Sequence, residues 1–405
     1  MATIAILGTL DTKGAEHDHL AALVTARGHT ALLIDVGTGS DATITPHITR
    51  HQVAAEAGID LAEITARNDR GVAVTAMSTA APKLLARLHR EGKIEGVISL
   101  GGGGGTAIAT AAMRALPIGF PKLMVSTLAS GNVAPYVGNT DIVMMPAITD
   151  IAGLNRLSKL IFARAAGAIC GMVEATPDSS SDKPLIVASM FGNTTACVTE
   201  AKRILEEAGY EVLVFAATGA GGRSMEAIID SGIVAGVLDI TTTELADELA
   251  GGVLTAGPDR LLSAARMNVP AVVAPGCLDM VNFGEPHTVS ETFADRLFYH
   301  HNPQVTLMRT TPEECAKLGE ELARKTNTYT APVTLLIPRT AISVISAPRQ
   351  PFHDPAADEA LITAIQSHSQ NPVIIHDLEI NSPAFAQACA QALLNHLSEF
   401  RIQNS

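Results

Sequence analysis

Five consecutive glycines, Gly101, Gly102, Gly103, Gly104 and Gly105, separate a β-branched run from an alanine-rich stretch in "VISLGGGGGTAIATAAMRA", residues 97–115. Five residues without side chains contribute nothing to side-chain packing. Where a glycine run leads into a helix, several backbone N–H groups face outward at the positive end of the helix dipole. The run therefore predicts that phosphate binds to the main chain here. The alternative is a glycine turn that only lets a helix and a strand pack closely, since the sequence has neither a strict P-loop pattern nor a clean GxGxxG motif.

Polar side chains follow other predicted strands of the same half of the chain. The turn "GTLDTKG", residues 8–14, offers a lysine charge at Lys13 and a hydroxyl at Thr12, with a second hydroxyl at Thr106 beside the glycines. Asp11 or Asp150 is a candidate for holding a sugar hydroxyl or the water of a Mg²⁺ ion. The loops "DVGTGS" and "STLASGN" add Thr38 and Ser126. Ligands of open α/β sheets gather at the carboxyl ends of strands, so these loops are expected to share one site.

The elements that must position these loops follow an alternating pattern. Short apolar runs that end in Gly or Thr alternate with amphipathic stretches, which indicates an α/β fold with parallel sheets. The segments 4–38 and 185–219 both read as strand, Gly/Thr-rich turn, helix, Gly and strand. We therefore predict two Rossmann-like domains at residues 1–175 and 184–405, related by internal duplication, although all βα units resemble one another.

Four further features complete the predicted organisation. The first half carries an extra segment around residues 40–93, and the linker is "EATPDSSSDKP", residues 174–184. In the second half, residues 287–325 are predicted to add helices and residues 331–346 a strand region.

Charge and composition exclude several partners. The chain has 405 residues and a formal net charge of -13, with 28 basic and 41 acidic residues. That balance opposes binding to nucleic acid, and the absence of Trp disfavours a base-stacking surface. No apolar run is long enough for a membrane span, and the N-terminus does not resemble a signal peptide, so a cytoplasmic protein without a membrane partner is expected.

The second half offers weaker candidates for chemistry. Cys277 follows a predicted strand in "APGCLDM", where a structural thiol is favoured over a nucleophile. His300, His301 and Arg309 are candidates for an interdomain cleft. The residues of "FHDPAAD", 352–358, are too few for a metal site, so no protein-held metal is predicted. The stretches "GNTTACV" and "ATGAGGRS" form either a second anion pocket or a degenerate copy of the first.

The motifs "GTLDTKG", "GGGGGT", "GVLDITTTELAD" and "LDMVNFG" resemble blocks of a known family. It comprises the N-terminal ATP-binding inhibitory domain of the tomato mosaic virus resistance protein and its bacterial and fungal relatives. The resemblance implies a two-domain α/β fold with ATP in the first domain. It implies nucleotide contacts at Asp11, Thr12, Lys13, Thr38, Met77, Ser78, Gly101 to Gly105 and Thr106. The antiviral role of the plant relative concerns a particular viral partner and does not carry over.

Three functions fit these observations. The first is a nucleotide-binding protein that holds ATP, with or without Mg²⁺. The second is an enzyme, a hydrolase or lyase, that acts on a small acid or phosphorylated metabolite with His301, Arg309 or Cys277 in its site. The third is an interaction module whose partner affinity ATP modulates. The resemblance and the alanine-rich helices also predict a homo-oligomer, a dimer.

Overall fold

A computed structural model describes residues 1–67, 69–176 and 183–403. The chain divides into two compact units, Met1–Ser179 and Ser180–Ser405. We call them the N-terminal and the C-terminal domain. Of the predicted linker, residues 177–182 lie outside the described part of the chain.

The N-terminal domain contains a five-stranded parallel sheet in the order β2-β1-β3-β4-β5. Its strands are β1 (Thr3–Gly8), β2 (Thr30–Asp35), β3 (Gly96–Gly101), β4 (Lys122–Ser126) and β5 (Val143–Pro146). Its helices are α1 (Leu10–Thr25), α2 (Arg50–Ala55), α3 (Leu61–Ala66), α4 (Arg70–Arg90), α5 (Gly103–Arg114), α6 (Ala134–Val137) and α7 (Arg156–Glu174). The extra segment predicted around residues 40–93 thus contains α2, α3 and α4.

The sheet of the N-terminal domain is buried on both faces because successive side chains of a strand point to opposite sides. In β1, Ala5 and Leu7 pack in a cluster with side chains of α4 and α5. Ile4 and Ile6 pack in a separate cluster with side chains of α1 and α7. Helices therefore cover both faces and leave the strand ends as the place for a site.

The C-terminal domain contains a six-stranded parallel sheet in the order β14-β13-β9-β8-β6-β7. Its strands are β6 (Leu185–Met190), β7 (Glu211–Ala216), β8 (Val234–Thr241), β9 (Ala271–Gly276), β13 (Val333–Pro338) and β14 (Val373–His376). Its helices are α8 (Thr195–Glu207), α9 (Ala220–Asp230), α10 (Glu244–Ala250), α11 (Ser263–Arg266), α12 (Pro312–Thr326), α13 (Pro355–His368) and α14 (Pro383–Gln403).

A second, antiparallel sheet in this domain differs from the sequence prediction. Residues 287–325 were expected to add helices, and α12 does so in the last part. The first part instead forms β11 (Phe298–Asn302) and β12 (Val305–Arg309), which pair with each other and with β10 (Met280–Phe283) in the order β10-β12-β11. The turn between β11 and β12 contains Pro303, and β12 is buried from Thr306 to Arg309.

The predicted fold class is confirmed: both domains are α/β, with parallel sheets of the Rossmann-like kind. Numbered within each domain, the two parallel sheets share the strand order 2-1-3-4-5, to which the C-terminal domain adds a sixth strand. Many doubly wound domains have this order, so the internal duplication stays a prediction. Among the described residues, no helix is both long and apolar enough to cross a membrane.

A buried arginine holds several elements of the C-terminal domain together. The guanidinium of Arg260 donates to Asp239 of β8 at 2.5 and 2.7 Å, to Glu244 of α10 at 2.6 Å and to Glu226 of α9 at 3.1 Å. Arg260 and Glu244 have fully buried side chains. Removing the only cation of such a cluster leaves its carboxylates buried without a counterion, which costs far more than the loss of a surface pair.

We predict that Arg260→Met lowers the free energy of unfolding by about 3–5 kcal/mol. Arg266→Met is the matched control, because Arg266 pairs with Asp230 at the surface and its loss is expected to cost about 1 kcal/mol or less. Urea denaturation of both variants measures the difference. Equal losses would contradict the structural role given to Arg260.

A second buried polar contact joins α10 to β10. Asp247 accepts hydrogen bonds from the backbone N–H and the side-chain amide of Asn282, at 3.0 and 2.7 Å. Burial raises the pKa of the Asp247 carboxyl to about 7 and outweighs these hydrogen bonds, which lower it. The folded protein therefore binds a proton at Asp247 under conditions in which the unfolded chain has lost it.

Because the pKa of Asp247 rises from 3.8 to about 7 on folding, its contribution to the free energy of unfolding falls as pH rises through this interval. The expected slope from this group is about 1.4 kcal/mol per pH unit. Asn stays neutral, so the stability of wild type relative to Asp247→Asn should decrease between pH 5 and pH 7. Urea denaturation at several pH values tests this, with Glu248→Gln on the exposed face of α10 as control. A constant difference would refute the assigned titration.

Candidate functional site

A pocket of about 590 Å³ opens in the N-terminal domain where the loops after β1 and β3 meet. The chain passes from β1 to β2 on one side and returns through β3 on the other, so the strand order reverses between β1 and β3. Open α/β sheets bind their ligands at this switch point. The pocket is lined by Thr9, Asp11, Thr12, Lys13, Thr38, Gly39, Thr65, Asp69, Arg70, Ala73, Val74, Gly102, Gly103, Gly104, Gly105, Ile108 and Asp150.

The glycine run forms the start of α5. Gly102 is the N-cap residue in an extended conformation and supplies no side-chain cap, and the carbonyl of Gly102 accepts the N–H of Thr106 at 2.8 Å. The N–H groups of Gly103 to Gly105 precede that first helical bond, so they have no acceptor within the helix. The first turn of α5 thus presents backbone donors and no side chains to the pocket.

Only one of the five glycines is required by the protein's own packing. A Cβ on Gly101 would lie 2.9 Å from the backbone of Gly105 and of Thr106. At Gly102, Gly104 and Gly105 the closest approach would be 3.5 Å or more, and at Gly103 no atom of the described residues, apart from its chain neighbours and the backbone of α5, lies within 4 Å. Close packing of helix and strand therefore accounts for Gly101 and leaves the other four unexplained.

The "DTK" turn after β1 is an irregular first turn of α1. The carbonyl of Thr9 accepts the N–H groups of Thr12 and Lys13 at 3.2 and 2.9 Å. Lys13 itself departs from helical geometry, with φ -132° and ψ 32°. His17 Nδ1 donates to the carbonyl of Lys13 at 2.7 Å, and the Lys13 ammonium donates to the carbonyl of Ile151. Burial lowers the pKa of His17, so the ring that supports this turn is a neutral imidazole.

Two aspartates fix the loop after β2 to the "DTK" turn. Asp11 accepts the N–H of Thr12 and the N–H of Gly39, both at 2.9 Å. The buried Asp35 accepts the N–H groups of Leu10 and Gly37 at 3.2 and 2.8 Å, and burial raises its pKa. Both carboxylates thus hold backbone in place around the pocket.

The loop after β5 closes another side of the site. Asp150 accepts the N–H of Ile151 with one oxygen, at 2.8 Å. Glu16 of α1 accepts the N–H of Gly153 at 2.6 Å. Together with the Lys13 contact, these bonds tie the loop to α1 and bring Asp150 to the pocket.

The structure brings together most of the residues that the sequence assigned to the nucleotide. Asp11, Thr12, Lys13, Thr38 and Gly102 to Gly105 line the pocket, and Gly101, Met77, Ser78, Thr106 and Ser126 do not. Thr106 and Ser126 are buried and share a hydrogen bond of 2.7 Å that joins α5 to β4. Met77 belongs to the apolar core beneath α4.

The sequence analysis did not predict that the extra segment around residues 40–93 lines one side of the pocket. Thr65 of α3 and Asp69, Arg70, Ala73 and Val74 at the start of α4 line the pocket. The sequence analysis placed an extra segment around residues 40–93, but a sequence pattern does not tell which turn of a helix lies over a distant loop. The one local signal was a basic residue, Arg70, at the start of a helix, where the dipole disfavours it.

The second-domain candidates have structural contacts. Arg309 is buried and donates to Asp358 at 2.6 Å and to the carbonyl of Phe352 at 2.9 Å. Cys277 is buried with a φ of 62°, and burial raises the pKa of its thiol well above the usual value. His300 and His301 lie exposed on β11. The enzyme hypothesis gains no support from these contacts.

The residues of "FHDPAAD" and the glycines of "ATGAGGRS" also form contacts within the protein. In "FHDPAAD", Asp354 caps α13 and Asp358 pairs with Arg309. Within the described ranges, no three His, Cys, Asp or Glu side chains are grouped to hold a metal ion. In "ATGAGGRS", the N–H groups of Gly219 and Gly222 donate to one oxygen of Glu244 at 2.6 and 3.1 Å. A carboxylate of the C-terminal domain thus occupies the start of α9.

The glycine geometry predicts opposite effects of alanine at two neighbouring positions. Gly101→Ala should destabilise the protein by about 1–3 kcal/mol, because its Cβ meets backbone atoms. Gly103→Ala should be neutral or stabilise by up to about 1 kcal/mol, because the site is open and alanine favours a helix. Urea denaturation of the two variants compares them directly. A similar loss at both positions would mean that Gly103 also serves packing.

Sequence comparisons agree with the division into two domains. Residues 2–178 match the N-terminal domain, and residues 183–397 the C-terminal domain, of the "Uncharacterised protein family (UPF0261)". A UPF0261 protein of Clostridium tetani is 47% identical over 98% of this chain and 99% of its own length. One of Rhizobium meliloti is 47% identical over 97% of this chain and 98% of its own length.

A plant protein shares most of this sequence as well. The tomato (Solanum lycopersicum) protein "ToMV resistance protein Tm-1(GCR237)" is 40% identical over 80% of this chain, which corresponds to 44% of the tomato protein. The motif resemblance to the tomato resistance protein thus extends over four fifths of the chain. With both of its domains matched and full-length relatives at 47% identity, this chain belongs to the UPF0261 family.

Proposed function

We propose that the N-terminal domain binds a nucleoside triphosphate, ATP, with its phosphates at the glycine loop. One observation carries the proposal: Gly102 to Gly105 line the pocket, and no contact of the protein itself requires them to lack a side chain. A ligand that approaches the backbone closely supplies the missing reason. Phosphate is the ligand group that matches backbone donors at the start of a helix.

The remaining walls are compatible with the rest of a nucleotide. A volume of about 590 Å³ lies in the range of small-molecule sites. Val74 provides apolar surface for a base, with Ala73 and Ile108 buried in the wall beside it, and Thr12 and Thr65 provide hydroxyl groups. ATP in particular is the ligand that the motif resemblance implies.

The carboxylates of the pocket are candidate ligands for the metal ion that accompanies ATP. Asp11 accepts the N–H groups of Thr12 and Gly39 with its two oxygens, whereas Asp69 accepts those of Gly71 and Val72 with one oxygen. Asp150 accepts one N–H, that of Ile151, with a single oxygen. We assign the second oxygens of Asp69 and Asp150 to a Mg²⁺ ion carried by the phosphates, because Mg²⁺ in nucleotide sites takes one or two carboxylates beside phosphate oxygens.

A charge placed at Gly103 tests the proposal without disturbing the fold. Gly103→Asp puts a carboxylate where the phosphate is proposed, in open space at a helix start that favours acidic residues. Gly103→Asn is the matched control, with the same size and no charge. We expect Mg²⁺-ATP at 100 times its dissociation constant to stabilise wild type by about 2.7 kcal/mol, the Asn variant less and the Asp variant not at all.

Thermal denaturation with increasing ATP, followed by calorimetric titration, measures this series. The proposal fails if ATP leaves the melting temperature of wild type unchanged. It also fails if the Asp variant binds ATP as tightly as the Asn variant does.

A further inference from the structure

We propose that β11 is a docking edge for an extended peptide segment of another protein, one that carries a large apolar side chain and a lysine or arginine. The segment adds to the antiparallel sheet as a strand beside β11 and places its apolar side chain in a pocket next to that edge. This surface lies in the C-terminal domain, so it is independent of nucleotide binding in the N-terminal domain. It combines an unpaired strand edge, an apolar pocket and an acidic surround.

The backbone of β11 is paired on one side only. β11 lies at the edge of the sheet β10-β12-β11, and within the described part of the chain no strand pairs with its other side. The N–H of Arg309 donates to the carbonyl of Leu297 at 2.9 Å. Because hydrogen-bonded pairs alternate with non-hydrogen-bonded pairs along antiparallel strands, the N–H and C=O groups of Phe298 and His300 point away from β12. These groups are the ones that a further strand binds.

The edge also lacks the residues that usually protect an exposed strand. Lysine, proline and inward-pointing charges discourage pairing with another chain. β11 has the sequence FYHHN, without Lys, Pro, Asp or Glu, and its bulge lies only after His300. The regular part of the strand therefore remains a template for strand addition, a recurring mode of peptide recognition.

A pocket of about 240 Å³ opens beside this edge. Its apolar wall is formed by Pro286, Val289, Phe293, Ala294 and Phe298. Phe298 and His300 both line the pocket, so a residue of the added strand that lies opposite either of them has its side chain on the pocket side. The volume is below the roughly 300–1,000 Å³ of small-molecule sites, which favours one large apolar side chain as the occupant.

The surface around the pocket is acidic. Its exposed carboxylates are those of Glu285, Glu291 and Asp295. Arg296 is the only lysine or arginine of residues 284–304, and Glu314 binds its guanidinium. A basic residue in the partner complements this surface, whereas a second copy of this chain would bring the same carboxylates to the contact. Charge thus favours a basic segment of another protein over self-association.

Selection from a displayed library of random dodecapeptides, carried out on the full chain, supplies the probe. We expect the selected peptides to share an aromatic or large aliphatic residue and at least one Lys or Arg. Hydrogen exchange should show that a bound peptide protects the N–H groups of Phe298 and His300, which exchange readily at a free edge. A library without binders, selected peptides without a basic residue, or protection only elsewhere in the chain overturns the proposal.

Two substitutions at one position separate main-chain pairing from side-chain contact. His300→Pro removes the outward N–H and leaves the pairing with β12 intact, because an edge strand tolerates proline where the N–H faces solvent. His300→Thr is the matched control, since it keeps that N–H and suits a strand. In fluorescence-polarisation titrations with a selected peptide, we expect a loss of about 10-fold or more for His300→Pro and of less than about 3-fold for His300→Thr. Glu291→Gln should weaken binding by about 2- to 5-fold.

The melting temperature of each variant without peptide shows whether the fold is kept. Equal binding by His300→Pro and His300→Thr overturns the proposal, and so does unchanged binding by Glu291→Gln. If proline unfolds the chain, the hydrogen-exchange result on wild type decides. Light scattering of wild type and His300→Pro tests the other occupant: a dimer that proline dissociates would mean that a second copy takes the edge, and would overturn the proposed partner.

Discussion

The uncapped start of α5 is the constraint on which the candidate site depends. Main-chain donors at a helix start need an acceptor from a side chain, from water or from a ligand. Gly102 offers no capping side chain, and the glycines that follow keep side chains out of the space in front of those donors. The "DTK" turn, the loop after β2 and the loop with Asp150 are each hydrogen-bonded into place around that space.

The C-terminal domain meets a similar requirement in the opposite way. There the donors at Gly219 and Gly222 are taken by Glu244, and Arg260 balances the charge of that carboxylate within the core. A side chain fixed in the fold thus takes the donors at the start of α9, which follows the second strand of its domain, whereas α5 follows the third. Two sheets of the same strand order therefore carry an open glycine loop in one domain and, after a different strand, an internally satisfied one in the other.

Local rules predicted much of this structure from the sequence. The strands β1 and β3, the helix start at the glycines and the polar "DTK" turn follow from patterns only a few residues long. The hairpin of β11 and β12 was missed because a helical interpretation was extended through a segment in which Pro303 marks a turn. The contacts of Arg70 and Asp35 and the burial of Met77 could not be predicted from the neighbouring sequence, because each depends on where distant segments pack.

The buried His17 beneath the "DTK" turn has a consequence for the conditions under which the site keeps its shape. Its Nδ1 donates a hydrogen bond to the Lys13 carbonyl, and its buried Nε2 has no hydrogen-bond partner among the residues that the structure describes. Protonation of that nitrogen would place an uncompensated charge in the interior, which burial resists. A moderate fall in pH below neutrality should therefore leave the turn at Lys13 unchanged. Any loss of ligand binding at that pH would then arise from protonation of the phosphates or of other side chains.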